Sequence, residues 1–330
     1  MNVAELVTPA LVVDLDAFEH NLGVMSEALP GRRLRPHVKA HKCTSIARRQ
    51  VEAGHVAFTC ATIREVEVMA AAGFGDDLLL ANEVVDARRL GAVAERGARV
   101  TVAVDSEAVI DAAVAGGVRE ALIDVNVGMP RCGCDPDDAG RLADYARAHG
   151  LEVRGVMGYE GHLVGNPDRA ERTKGVEESM AMLAQAHALT GGEIMSAGGT
   201  GTYDINTWAT EIQAGSYALM DTAYAQLWLP FRHALSVHAT VISSPGKYAV
   251  ADCGLKALGM DHGNPAIAGA KVWYCADEHI VFRAEERRDV GDRVEVIPAH
   301  VDPTIAYHDV MHVVRADEVV DEWPIDMRGW

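Results

Sequence analysis

Positive charge is scarce in this sequence: 30 lysines and arginines face 48 aspartates and glutamates among 330 residues, a formal net charge of −18. A nucleic-acid or anionic-membrane partner needs a basic surface that can release counterions, so both classes are excluded. Any anionic ligand must instead be held locally, by backbone amides and a few placed cations. Long apolar runs are also missing. No stretch approaches the roughly 18 apolar residues of a membrane span, and the opening MNVAELVTPALVV lacks the basic segment and small-residue cleavage site of a secretory signal. A cytoplasmic protein is the expectation. Cysteine is sparse and scattered: Cys43, Cys60, Cys132, Cys134, Cys253 and Cys275 show neither CxxC spacing nor the density of a disulfide scaffold, and read as reduced thiols.

What the chain does have is alternation. After an opening run ALVVDL (10–15) and a helix around Phe18 to Leu29, short β-branched runs near 33–38, 57–61, 77–82, 99–104, 120–127, 152–158, 193–197 and 210–214 alternate with helical stretches. Eight such units predict a (β/α)8 TIM barrel over 16–235, with an open doubly wound sheet as the alternative. Past residue 236 the helical stretches thin out. VHATVIS, KYAVADC, KVWYCA, HIVFRA, RVEVIPAHV and MHVVRA, separated by Gly, Pro and Asp, predict a C-terminal all-β domain over 236–330, which residues 1–15 would join as an extra strand.

In LRPHVKAHK, period-2 alternation puts Arg35, His37 and Lys39 on one side of the first barrel strand. A lysine at the C-terminal end of a barrel strand sits where active sites form, and burial beside other cations would lower its pKa so that its amine attacks an aldehyde. A solvated loop is the ordinary reading for a lone lysine. The seventh unit ends in SAGGTGTYD and the eighth runs into Gly215, Ser216 and Tyr217. There Gly198, Gly199 and Gly201 let backbone amides face an anion, while Ser196, Thr200, Thr202 and Ser216 add hydroxyls. Loops after strands seven and eight are the usual phosphate position in this barrel. Between these segments, Arg131 follows VGMP, and Tyr159 and His162 lie in GYEGH; each suits contact with a cofactor or substrate.

In VEVIPAHVDPT, His300 and Asp302 stand two apart on an expected strand that Pro303 ends, so both would leave one face. Such a pair can hold Mn²⁺, Mg²⁺, Zn²⁺ or Co²⁺. A hydrogen-bonded surface pair is the alternative.

With these residues in hand, nearly the full chain resembles the D-threonine aldolase and D-serine dehydratase group of the alanine-racemase-like, fold-type III pyridoxal-phosphate enzymes. The likeness runs through TPALVVDLDAFEHNL, RPHVKAHK, VGMPRCG, SAGGTGTYD, GSYALMD, DCGLKALGMDHG, DEH, HVDPT and the closing RGW. It implies that Lys39 carries pyridoxal 5'-phosphate as a Schiff base, that the Gly-rich loop and GSY turn bind phosphate, and that Arg131 lies near the cofactor. His300 and Asp302 fall on the metal-ligand positions. Where dehydratases of the group tend to have cysteine this chain has Asp302, which implies a harder cation, Mn²⁺ foremost, and retro-aldol cleavage of a D-β-hydroxy-α-amino acid, with His162 or a metal-bound water as base. A D-serine or D-threo-3-hydroxyaspartate dehydratase is the alternative implied by the same residues, followed by an amino-acid racemase or a non-catalytic cofactor carrier. A homodimer is implied by the resemblance alone.

Overall fold

Runs such as LLL (78–80) and VTVAV (100–104) carry no polar face, as expected of strands covered on both sides. The structure, a computed structural model describing residues 1–330, places them in a parallel sheet. After β1 (Ala10–Asp14), α1 (Leu15–Ala28) and α2 (Thr44–Glu52), the sheet is built from β2 (Phe58–Cys60), β3 (Leu78–Leu80), β4 (Val100–Val104), β5 (Glu120–Asp124), β6 (Glu152–Met157), β7 (Ile194–Ala197) and β8 (Glu211–Ile212). These seven pair in sequence order, all parallel, with helices between most of them.

The eighth stave is Leu34–His37, which makes only isolated bridges: Leu34 to Ile212 and His37 to Thr59. Backbone bonds from Arg35 N to Ile212 O (2.9 Å), His37 N to Ala214 O (3.2 Å) and Thr59 N to Pro36 O (2.9 Å) close the (β/α)8 barrel between β8 and β2. Leu79, Ala103, Leu122, Met157 and Ile194 form a buried cluster across five neighbouring strands. This barrel belongs to a unit comprising Met25–Lys39, Ala47–Gly215 and Met327–Trp330.

A buried ionic network draws on residues at or near the N-terminal ends of several staves. Asp77, immediately before β3, meets Arg154 Nη1 at 2.9 Å and Arg35 Nη1 at 3.2 Å, and Arg35 Nε reaches Glu211 at 2.7 Å. Burial alone would raise the Asp77 pKa, but hydrogen bonds and charge from Arg154 and Arg35 reverse this and hold it far below the usual carboxylate range. Arg35 therefore belongs to structure, with its charge matched by two carboxylates.

The other unit, Met1–Val24, Ala40–Ile46 and Ser216–Asp326, is built on a mixed sheet. Its further strands are β9 (Leu235–Ser243), β10 (Ala249–Ala251), β11 (Ala270–Cys275), β12 (Ile280–Ala284), β13 (Arg293–Val296), β14 (Val310–Arg315) and β15 (Glu318–Pro324). β1 lies between β9, antiparallel, and β14, parallel. No helix in the chain is long and apolar enough to cross a membrane.

One local expectation fails here. HVDPT is not the end of a strand: Val301–Ala306 is a helix after β13, with His300 as its N-cap residue. Pro303 sits in the first helical turn, where its missing N–H costs nothing and its fixed φ suits the helix, so it helps start a helix where a strand end was expected.

The Asp77 network yields a stability prediction. Asp77→Ala removes the carboxylate shared by two buried guanidinium groups, while Arg35 keeps Glu211 and Arg154 keeps Glu120 and Glu193, and equilibrium urea unfolding at neutral pH is expected to show a loss of about 1–3 kcal/mol. Because the folded-state pKa is depressed, this stability is present above the ordinary carboxylate value of 3.8. It fades as pH falls below that value, so wild type and variant should converge in acid.

Candidate active site

At its C-terminal end the Leu34–His37 stave passes into a tight 3-10 turn, Val38–Ala40, with Lys39 at the centre. The Lys39 N–H points to His37 Nδ1 at 3.4 Å, and the side chain is half-buried. Because His37 N donates to Ala214 O, Lys39 leaves the barrel beside the strand end that leads into Gly215. This is the face where barrel active sites form. The expected row of Arg35, His37 and Lys39 does not extend to Lys39, since the turn breaks the alternation and Arg35 is neutralised by Glu211 and Asp77.

The Gly-rich loop after β7 is held by a residue that the sequence analysis passed over. Glu160 is fully buried, and its carboxylate accepts from Gly198 N (3.1 Å), Thr202 Oγ1 (2.9 Å) and Asn206 Nδ2 (3.2 Å). Gly198 turns at φ +81°. At Gly201 a Cβ would lie 1.9 Å from the Val164 carbonyl oxygen, so only glycine allows this approach. Ser196 and Thr200 are also buried, and Gln213 Nε2 donates to Ser196 Oγ at 2.8 Å. The expected row of amides is not all turned to an anion, because Gly198 N is bound to Glu160 and Gly199 N to Thr202 Oγ1 at 3.2 Å, so the fit to the phosphate ester of a pyridoxal cofactor rests on the close backbone approach at Gly201 and on the flanking hydroxyls.

Tyr159 connects this loop to the VGMPR segment. A Cβ on Gly199 would contact the Tyr159 ring at 3.4 Å, and one on Gly161 would collide with that ring and with Met129 Sδ. The Arg131 guanidinium lies over the same ring, 5.5 Å from its centroid. His162, exposed, packs against Gly128, where a Cβ would sit 3.1 Å from its ring. Thus Arg131, Tyr159, His162 and the Gly-rich loop are assembled from three loops that are distant in sequence. Near Arg131, burial and then the charge of Glu83 push the Asp124 carboxyl well above its usual range.

Beyond Gly215, Ser216 O accepts from Met220 N at 2.7 Å, and buried Tyr217 packs against Phe231, with ring centroids 5.8 Å apart. His300 and Asp302 are brought close, Nε2 to Oδ1 at 3.8 Å, although by a helix N-terminus rather than a strand face. Two further groups join them. His300 Nδ1 lies 2.7 Å from Asp261 Oδ2, and His262 stacks on the His300 ring. A set of imidazoles and carboxylates of this kind fits a borderline or hard divalent cation. GMDHG carried a signal in its adjacent Asp and His, but only the fold brings it to His300.

Comparison with known proteins gives a consistent family. The alanine racemase N-terminal domain matches residues 13–222 and a serine dehydratase domain matches 234–314. The chain is similar to a D-threonine aldolase from Arthrobacter sp, at 38% identity covering 99% of this chain and 94% of the relative. It is also similar to a 3-hydroxy-D-aspartate aldolase from Paracoccus denitrificans, at 31% identity covering 100% and 94%. Among solved structures, a D-threonine aldolase from Filomicrobium marinum superposes with a TM-score of 0.93 at 36% identity, covering 99% of this chain and 97% of that one. D-threo-3-hydroxyaspartate dehydratase from Delftia sp. HT23 does so with 0.89 at 26%, covering both chains in full.

The Glu160 arrangement can be checked directly. Glu160→Ala leaves three buried donors without their shared acceptor, each costing about 1–3 kcal/mol. Urea unfolding is expected to report destabilisation of that order, and hydrogen exchange to show a loss of protection at the Gly198 amide.

Proposed function

Given that the chain belongs to the alanine-racemase-like, fold-type III family of pyridoxal-phosphate enzymes, we propose that it is a divalent-metal-dependent lyase of the D-threonine aldolase type. It cleaves D-β-hydroxy-α-amino acids between Cα and Cβ, giving glycine and an aldehyde. The observation that carries this reading is the 3.8 Å pairing of His300 with a carboxylate, Asp302, in a chain 38% identical to a D-threonine aldolase along almost its whole length. An oxygen ligand there suits Mn²⁺ first, then Mg²⁺, Co²⁺ or Zn²⁺. The same reading takes the enzyme to be a cytoplasmic homodimer.

In this reading each residue has a role. Lys39, at the end of the closing stave, would hold the cofactor through its side-chain amine. Ser196, Thr200, Gly201, Gly215 and Ser216 hold the phosphate, with Tyr217 packed behind the turn. Arg131 and Tyr159 hold the ring. Pyridoxal phosphate, when bound, supplies an electron sink for the pair released at Cα. His300 and Asp302 would hold a divalent cation, whose Lewis acidity would favour loss of the β-hydroxyl proton. His162 takes the β-hydroxyl proton as the Cα–Cβ bond breaks.

A dehydratase is the second reading, favoured by the serine dehydratase domain match over 234–314. In it Lys39 removes the α-proton and the β-hydroxyl departs.

The products decide between them. With D-threonine and Mn²⁺ the expected products are glycine and acetaldehyde, with activity lost to a chelator and restored by Mn²⁺; 2-oxobutyrate and ammonia would establish the dehydratase instead. Purified enzyme should show the visible absorbance of bound cofactor, absent from Lys39→Ala. Asp302→Ala is expected to lower kcat by roughly 100-fold or more, since several kcal/mol of charge stabilisation are removed.

A further inference from the structure

Within the β-rich unit, the GMDHG loop and the turn that begins the Val301–Ala306 helix are stitched together. Gly259 and His300 form an antiparallel bridge, and Gly259 N donates to Thr304 Oγ1 at 2.9 Å. The Thr304 hydroxyl donates in turn to His300 O at 2.7 Å, and His308 Nε2 lies 2.9 Å from Ala257 O. A Cβ at Gly259 would stand 2.3 Å from Pro303 Cγ. This pinned backbone sets Asp261, two residues past the bridge, against His300: Oδ2 is 2.7 Å from Nδ1. His262 stacks on the same ring at 4.0 Å between centroids and 11° between planes. His300 Nε2 is the nitrogen that faces Asp302.

An imidazole binds a cation through one nitrogen while the other carries its proton, so the group that accepts that proton decides which nitrogen is free. We propose that Asp261 is a positioning residue for the metal site. It accepts the Nδ1–H of His300 and thereby directs the Nε2 lone pair to a cation shared with Asp302, while His262 fixes the ring plane by stacking and does not ligate. The inference rests on the metal-dependent reading above.

A rival arrangement exists, because ligand atoms of Asp261, His262 and His300 lie within 4.8 Å of one another. Both offer an ion-sized gap, His262 Nε2 to Asp261 Oδ2 at 3.7 Å in the rival, so the contact at His300 Nδ1 decides between the two. Atoms that ligate one cation at about 2.1 Å each stand roughly 3 Å or more apart. The 2.7 Å contact on the Nδ1 side is a hydrogen-bond length, while the 3.8 Å gap between Nε2 and Asp302 spans an ion.

The test uses cofactor-loaded enzyme stripped of metal with a chelator and titrated with Mn²⁺ alone, following free Mn²⁺ by electron paramagnetic resonance. His300→Ala and Asp302→Ala should abolish tight binding. Asp261→Ala should weaken it about 10- to 100-fold. Asp261→Asn, which keeps an acceptor but drops the charge, should weaken it less, and His262→Ala, which removes the stacked ring but no ligand, should weaken it by less than about 10-fold. In parallel, ¹⁵N-histidine NMR of the metal-free enzyme should show His300, identified by its absence in His300→Ala, as the Nδ1–H tautomer. That preference should be lost in Asp261→Ala. Wild-type affinity in Asp261→Ala overturns the proposal, as does an Nε2–H tautomer in wild type, a reading that stands even if the alanine variant fails to fold. A His262→Ala loss matching His300→Ala, with normal Asp302→Ala, overturns it in favour of the Nδ1-side site. If neither His300→Ala nor Asp302→Ala weakens Mn²⁺ binding, the metal reading itself falls, and the role of Asp261 with it.

Discussion

Three backbone hydrogen bonds hold Leu34–His37 between β8 and β2, and the barrel unit depends on them. A seven-stranded parallel sheet leaves two edges open, and this short stave satisfies both. It makes too few consecutive pairings to form a regular strand, so its position is reinforced at the other end by Arg35, locked to Glu211 and Asp77. The same four residues then deliver Lys39 to the opposite end. Structural ion pairs and the candidate cofactor lysine thus lie within one pentapeptide, with stability assigned to Arg35 and chemistry to Lys39.

The Gly-rich loop shows a related economy. In a chain of net charge −18 the fold uses a buried carboxylate, Glu160, to shape the loop from within. The carboxylate gathers three donors on its own side, and this fixes the turn in which the buried glycines lie. Tyr159, the residue before it, faces Arg131. Neighbours in GYEGH therefore hold two different loops in register.

The barrel strands were legible because each is a short apolar run bounded by turn residues, and every predicted run contains an observed strand or stave. The first one still misled in detail, since pairing by isolated bridges leaves no strand long enough to carry alternation out to Lys39. β15 was missed: in EVVDEWP only Trp323 is fully buried, and Glu318, Asp321 and Glu322 break the apolar run around Val319 and Val320. The HVDPT helix was misread because a proline can end a strand or start a helix, and only tertiary support, such as Asp221 accepting from Val301 N at 2.9 Å, settles which. Glu160 gave no signal, and the adjacent Asp261 and His262 gave one without a partner, for a simpler reason. Their partners lie far along the chain, and a carboxylate or imidazole alone looks the same whether solvated or enclosed.

The short Val301–Ala306 helix also bears on cation preference. Its backbone is fixed by Thr304, by Asp221 and by the contact between Pro303 and Gly259, none of which involves the side chain of residue 302. That side chain projects from the first turn of a helix whose backbone is pinned by its neighbours. In the proposed site, cation preference is therefore separable from the fold of the loop: the chemistry of one side chain at position 302 sets how hard the ligand is, while the contacts that shape the backbone lie on its neighbours.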